Sequence, residues 1–152
     1  MNEVKSLLLS HSYRKWGYIS IFVGLVFTYI NLYTQFRIES PVLAIYSGFL
    51  NQSFFKISHT NLTDEFAMTF LFLGFLILII TKEKIENEQT VIVRHKALLY
   101  SFITNDVLLI MSVLLIYGAG FVGVLIVGLY SQAIIYLICF AILKSKNKEF
   151  EN

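Results

Sequence analysis

Asp106 is the residue whose type and position are most open to a chemical role. It lies near the centre of an apolar segment, residues 97–117, and next to a long uncharged run, residues 107–143. An aspartate at the middle of a bilayer costs about 2.5–3.5 kcal/mol to insert. Two interpretations follow: a site that responds to protons or cations, or a protonated carboxyl that only fixes helix packing. Packing is favoured, because the membrane segments contain no second carboxylate and no buried base.

Polar residues on other apolar segments fall at about the same depth as Asp106. Ser101, Asn105 and Ser112 are spaced four and seven residues apart and share one face of a helix. These residues predict a polar layer across the helices. Within it we expect Asp106 to be neutral at pH 7 and to donate a hydrogen bond. The members of this predicted midplane layer are Asp106, Asn105, Gln132, Ser131 and Thr28.

The second cluster of functional groups is the charged segment 82–96. Lys82 and Glu86, like Lys84 and Glu88, are spaced four apart, so the preceding apolar segment is expected to continue as a solvated helix. A solvated turn is one interpretation of these charges, and a surface that docks a partner protein is the other. The candidate docking residues are Lys82, Glu83, Glu86, Glu88 and Arg94.

Known catalytic and metal-binding patterns are absent from the sequence. His11 and His95 are separated from His59 by apolar segments, so no pair lies within the bilayer to hold a haem. No zinc-ligand spacing, HExxH sequence or glycine-rich phosphate loop occurs. Cys139 stands alone in an apolar stretch and is expected to serve packing. We expect no enzymatic activity, no cofactor and no metal.

These residues must be positioned by helices that lie in a membrane. Of the 152 residues 57% are hydrophobic and only 14% charged, against about 25% charged in soluble domains. The composition excludes a soluble enzyme, a disordered chain and a disulfide scaffold. The fold class predicted is an all-α bundle of four transmembrane helices, a single membrane domain over residues 1–152. Its parts are spans 17–36, 66–81, 97–117 and 120–143, an outer loop 37–65, a connection 82–96 and a tail 144–152.

Lysine and arginine counts predict the orientation of the four spans. Ten of these residues fall on the side that carries both termini and two, Arg37 and Lys56, on the other. The positive-inside rule then places both termini in the cytoplasm.

Shorter elements are predicted between and beside the spans. Ser40-Pro41 resembles a helix start, so an interfacial helix is expected over residues 42–49 of the outer loop. Residues 1–15 are expected to form a short helix on the inner surface. Thr63 is expected to cap the second span, and residues 118–120 to form a tight turn between the last two spans. Gly24 with Thr28, and Ala119 with Gly123, form small-xxx-small pairs, and Gly74, Gly120 and Gly128 are expected to allow close helix approach. These residues would serve packing inside the bundle or an interface between subunits.

A further pattern resembles a family of small, uncharacterised four-span membrane proteins of the Bacteroidota. The family has an N-x-T-D-E sequence before the second span, matched by residues 61–65, and an acidic–basic S-K-E-K-x-E-D-E sequence after it, matched by residues 81–88. Arg94, Ser101 and Asn105 also fall at family positions, whereas Asp106 departs from the family pattern. The resemblance implies a four-helix protein of the bacterial inner membrane with no established activity.

The function expected from the sequence is that of a non-enzymatic accessory or sensory module. It would lie in the lipid bilayer of the bacterial inner membrane and contact a membrane or cytoplasmic partner through segment 82–96. The alternative is a small homo-oligomeric transporter or channel with Asp106 near the pathway. The small net charge of +2 gives no reason to expect nucleic acid binding.

Overall fold

The architecture is dominated by four long helices. The computed structural model describes residues 8–34, 36–47 and 53–149. Within these residues four helices are long and apolar enough to cross a membrane, which confirms the predicted number of such helices. In chain order the elements are a 3-10 turn His11–Tyr13, α1 Arg14–Tyr33, β1 Glu39–Ser47, β2 Ser53–Asn61, α2 Thr63–Ile80, α3 Glu88–Leu115 and α4 Ala119–Glu149.

Apolar side chains along the helices are exposed rather than buried. Phe22 on α1, Leu115 on α3 and Val127 on α4 are 67%, 70% and 66% exposed. A protein dissolved in water rarely leaves a contiguous surface of this kind uncovered. The four helices therefore have the surface that a multi-pass membrane protein needs for contact with lipid.

Residues 17–74 form one compact unit in which α1 packs on α2 through glycine. A Cβ added to Gly24 would lie 2.9 Å from the backbone nitrogen of Leu71, and one on Gly74 would lie 2.8 Å from that of Ile21. The Ser20 hydroxyl donates to the carbonyl of Phe70 over 2.7 Å. Backbone therefore meets backbone at these positions, as the glycines predict.

The second unit comprises residues 1–16 and 75–152, and its core is an α3–α4 hairpin. Gly118 has a φ of 68° and turns the chain between the two helices. The turn was predicted over residues 118–120, but α4 already begins at Ala119, so of these three residues only Gly118 lies in it. At the opposite end of the α3–α4 hairpin, Val93 and Ala97 of α3 are buried against Tyr136 and Phe140 of α4.

The described residues of the outer loop form a β-hairpin, so the interfacial helix predicted over residues 42–49 was wrong for residues 42–47. Residues 48 and 49 lie outside the described residues. β1 and β2 are antiparallel and pair from Glu39 with Asn61 to Ser47 with Ser53. An isolated helix of eight residues is marginal, whereas pairing with residues 53–61 satisfies the backbone of both segments. Pro41 is tolerated because each strand of a two-stranded sheet is an edge.

The cap of α2 also differs from the prediction. Thr63 is already the first residue of the helix, and the side chain of Asn61 accepts a hydrogen bond from its backbone N–H over 3.1 Å.

The connection after α2 is not helical, which corrects the prediction of a continuous helix. α2 ends at Ile80 and α3 begins at Glu88, nine residues before the predicted span start at 97. The spacing of Lys82 and Glu86 therefore does not form a pair on a helix. Asn87 explains the early start of α3, because its side chain accepts from the backbone N–H of Thr90 over 2.8 Å.

The two chain ends also depart from the predicted bounds. The predicted surface helix over residues 1–15 lies partly outside the described residues; from residue 8 onward Leu9 forms a parallel bridge with Thr81 and a 3-10 turn follows. At the other end α4 continues to Glu149, so residues 144–149 of the predicted tail are helical.

The glycine contacts predict opposite effects for two alanine substitutions. Gly74→Ala should lower the free energy of unfolding by about 1–3 kcal/mol, because backbone atoms cannot move aside for the new methyl group. Gly123→Ala is the matched control: nothing lies within 4 Å of the added carbon, so better helix propensity should raise stability by up to about 1 kcal/mol. Thermal unfolding in detergent measures both. Equal melting of the two variants would contradict the packing described.

Candidate functional site

Arg94 lies at the centre of a polar cluster formed by the described residues. Arg94 is buried, with 8% of its surface exposed. The guanidinium donates to the carbonyls of Ile79 over 3.1 Å and Thr81 over 2.8 Å, at the end of α2. It also donates to both carboxylate oxygens of Glu86, over 3.1 Å and 3.2 Å. Arg94 therefore satisfies carbonyls that the end of a helix leaves without partners.

Aromatic side chains of α4 form the apolar wall of this cluster. The Arg94 guanidinium lies 5.0 Å from the centroid of the Phe140 ring, within the range of a cation–π contact. Tyr136 stacks on Phe140 with ring centroids 6.1 Å apart. A planar guanidinium suits this position better than a lysine ammonium, because it donates in several directions and stacks on a ring at the same time.

Glu83 links the connection between α2 and α3 to the start of α1 and to the last turns of α4. Its two carboxylate oxygens pair with Arg14, at the start of α1, and with the Lys144 ammonium, 2.6 Å away near the end of α4. The backbone N–H of Glu83 donates to Glu86 over 2.8 Å, which links this bridge to Arg94. We call the set Arg14, Glu83, Glu86, Arg94 and Lys144 the Arg94 cluster.

The segment before α1 is held against the same connection by its backbone. Leu9 donates to the carbonyl of Ile80 and accepts from the N–H of Lys82, both over 2.9 Å. His11 Nδ1 donates to the carbonyl of Lys82 over 3.1 Å. The connection is therefore fixed from several sides, and its path follows from these contacts rather than from helix propensity.

The electrostatic balance at Glu83 favours the ionised carboxylate. Burial disfavours the charge, yet the hydrogen bonds and positive charges of Lys144 and Arg14 outweigh burial and hold the pKa of Glu83 below its ordinary value of 4.5. Glu83 is thus ionised at neutral pH and can keep both cations in place.

The predicted docking residues divide into two groups. Glu83, Glu86 and Arg94 are engaged with other parts of the same chain, so they shape the connection from within. Lys82 is half-buried and Glu88 is exposed. Sequence reasoning missed Arg14 and Lys144 as members of the cluster, although Arg14 lies two residues before the uncharged run 16–36 and Lys144 directly follows the uncharged run 107–143.

The predicted midplane layer forms in part between α3 and α4. The Ser131 hydroxyl bonds to the Asn105 side-chain oxygen, and the Gln132 amide donates to the Ser101 hydroxyl over 3.2 Å. Ser101 and Asn105 are buried, as their shared face predicts. This layer therefore ties the two helices together near their middle.

Two members of the predicted layer do not take the expected partners. Asp106 is half-buried, and within the described residues no hydrogen bond joins it to Ser131 or Gln132. Asn105 takes the place expected for Asp106, because the two are about 100° apart around the helix and only one can face α4. The Thr28 hydroxyl donates to the carbonyl of Gly24 in its own helix, over 2.9 Å.

A groove of about 500 Å³ runs along the α3–α4 hairpin from this layer toward the turn. Its polar lining comes from Asn105, Ser112 and Ser131, and glycines at 120, 123 and 128 form part of its floor. Over residues 8–34, 36–47 and 53–149, no three His, Cys, Asp or Glu side chains lie together in a way that could hold a metal ion. The polar side chains of the Arg94 cluster form ion pairs, and those of the midplane layer form hydrogen bonds.

Comparison with known proteins leaves the family of this chain open. No family model, no curated protein and no solved structure matches it.

Removing the Arg94 side chain should strongly destabilise the fold. Arg94→Ala leaves the Glu86 carboxylate and two helix-end carbonyls without their donor, at a cost of about 3–5 kcal/mol. Lys96→Ala, two residues along the same helix at an exposed position, is the matched control and should change stability by less than about 0.5 kcal/mol. Arg94→Lys should retain only part of the stability because one ammonium cannot reach all four acceptors. Thermal unfolding in detergent compares the three variants, and equal losses for Arg94→Ala and Lys96→Ala would contradict this role.

The position of Glu83 predicts a loss of stability in acid. A carboxylate whose pKa is lowered on folding stabilises the protein fully above its unfolded value of 4.5, and this contribution disappears as pH falls through the folded pKa. Glu83→Gln should therefore melt lower than wild type at pH 7, and the difference should shrink below pH 4.5.

The exposed Glu88→Gln variant is the control for this pH series. Its melting temperature should follow that of wild type throughout. A difference between wild type and Glu83→Gln that stays constant down to acid pH would contradict the ion-pair bridge.

Proposed function

We propose that this protein is a non-enzymatic module of the bacterial inner membrane, accessory or sensory in role, that contacts a partner protein through segment 82–96. Four apolar helices with exposed surfaces support a multi-pass membrane location. The distribution of lysine and arginine, ten against two, supports cytoplasmic termini. The resemblance of residues 61–65 and 81–88 to four-span proteins of the Bacteroidota supports the bacterial inner membrane.

The observation that carries the proposal is the way the connection between α2 and α3 is held. Leu9, Glu83, Glu86 and Arg94 fix its backbone, so its outward-facing residues are presented in one arrangement. Ile85 is 76% exposed there, and Lys84 and Glu88 are exposed on either side of it. A preorganised surface loses little conformational entropy when a partner binds. The contact surface is therefore assigned to Lys84, Ile85 and Glu88, and the Arg94 cluster supports it.

This proposal accounts for the polar residues better than the alternative of a homo-oligomeric transporter. A transport pathway would need polar groups that are free to bind an ion. The buried Asn105 and Ser101 of α3 are bonded to the half-buried Ser131 and Gln132 of α4. Asp106, the acid on which the transporter alternative depends, stands apart from these bonds.

A pair of serine substitutions tests the proposed surface. Ile85→Ser removes the exposed apolar tip without touching the Arg94 cluster. Tyr117→Ser is the matched control, because Tyr117 is also 76% exposed and lies just beyond the other end of α3. Quantitative affinity purification from native membranes should recover the same partner protein with wild type and Tyr117→Ser, and much less of it with Ile85→Ser.

Two results would refute this function. Equal recovery of the partner with Ile85→Ser would move the contact away from the connection. Purification of the protein with no associated protein in any sample would remove the partner itself.

A further inference from the structure

The β-hairpin carries an apolar face that nothing in the described part of its own chain covers. Leu43 and Ile57 are direct cross-strand partners, and each is 68% exposed. Phe55, two residues from Ile57 on β2, is 73% exposed. These fractions match those of helix residues such as Leu115 and Val127, which need lipid around them.

Exposure alternates along β1, so the hairpin has two different faces. Pro41 and Leu43 are exposed, whereas Ser40 and Val42, which point to the opposite face, are half-buried. A two-stranded sheet on its own is at best marginally stable in water. The exposed face therefore requires a covering environment.

The base of the hairpin is attached directly to the first turn of α2. The backbone N–H of Ile38 donates to the side chains of Asn61 and Thr63, both over 3.2 Å. Leu62 donates to the carbonyl of Ile38 over 2.8 Å and is the one residue between β2 and α2. No flexible spacer therefore separates the hairpin from the helix end.

The length of α2 determines where that helix end lies. Its 18 residues extend about 27 Å, close to the thickness of the hydrocarbon core of a bilayer. The next inference rests on the proposed membrane location: if α2 spans the bilayer, its first residue, Thr63, lies at the membrane surface. The hairpin base then lies at the same depth, within reach of the lipid headgroups.

Phe55 adds an independent observation. Its φ of 49° is in the left-handed region, which a bulky residue rarely adopts and which costs about 1–3 kcal/mol. The strained residue is also the most exposed of the three apolar residues on this face. Aromatic rings favour the boundary between water and hydrocarbon, so an interfacial contact for Phe55 can offset the strain.

We propose that the face bearing Leu43, Phe55 and Ile57 inserts into the headgroup region of the bilayer beside the start of α2. Lipid is the occupant because the hairpin base is continuous with a spanning helix. Glu39 and His59, also exposed on this face, suit headgroup depth rather than hydrocarbon. The hairpin then anchors the α1–α2 pair at the membrane surface.

Tryptophan fluorescence in lipid nanodiscs tests this placement. Trp16 is the single tryptophan of the chain, so a Trp16→Phe background allows one reporter at a time. Phe55→Trp reports on the proposed face, with Ile57→Trp as a second reporter in case the strained position does not tolerate the change. Val42→Trp reports on the opposite face. Leu108→Trp, near the centre of the predicted span 97–117 on α3, reports on membrane insertion itself.

The expected result is loss of emission from Phe55→Trp and Ile57→Trp in lipids brominated near the headgroup. Acrylamide in the water should quench them little, and Val42→Trp should not respond to the bromine. Quenching of both reporters by acrylamide alone would overturn the proposal by placing the face in water. Protection from both quenchers would overturn it by placing a second copy or another protein there.

The Leu108→Trp variant separates this proposal from the one it rests on. Quenching of Leu108→Trp by lipids brominated near the chain ends, without quenching of Phe55→Trp, refutes the hairpin contact alone. No quenching of Leu108→Trp refutes the membrane location, and the hairpin proposal with it.

Discussion

The hydrogen bonding of one guanidinium governs the α2–α3 reversal on which the rest of the second unit depends. Helix α2 ends with carbonyl groups that have no partners within the helix, and in an apolar environment such groups are costly. Arg94 reaches back from the second turn of α3 to bond two of them while it holds Glu86 in the connection. One side chain thereby ends a helix, directs the chain that follows and fixes where the next helix packs.

The remaining charges of the cluster follow from the burial of Arg94. A buried cation requires an anion, which Glu86 supplies, and the neighbouring Glu83 is accompanied by Arg14 and Lys144. Buried ion pairs of this kind contribute little net stability compared with well-packed apolar residues, because each charge must be removed from water. We infer that what they contribute here is a single geometry for the connection. An apolar turn of equal stability would not define the position of Ile85 so closely.

The sequence was sufficient for features that depend on composition and short-range pattern. The four helices follow from long uncharged runs, the turn at Gly118 follows from glycine, and the face shared by Ser101 and Asn105 follows from helical spacing. Each of these signals is local, and each depends on one physical effect.

The features that sequence reasoning missed depend on partners distant in the chain. A helix was expected over residues 42–49 because the pairing of residues 39–47 with residues 53–61 was not considered. The Lys82–Glu86 spacing suggested a helix, but Arg94 and Leu9 compete for the same backbone and open it. Asp106 and Asn105 were both placed in the predicted layer, but the rotation of the helix turns only Asn105 toward α4.

The bridge at Glu83 also has a consequence for how the protein is made. Arg14 precedes Glu83 by 69 residues and Lys144 follows it by 61, so the ribosome makes one cation well before Glu83 and the other well after it. When the first three helices have formed, Glu83 can pair with Arg14 through one carboxylate oxygen. The other oxygen has its partner, Lys144, only once α4 has formed. The bridge is therefore completed only after α4 has been translated as far as Lys144. Assembly at this end of the molecule is a late event, during which a carboxylate that is later buried remains in contact with water.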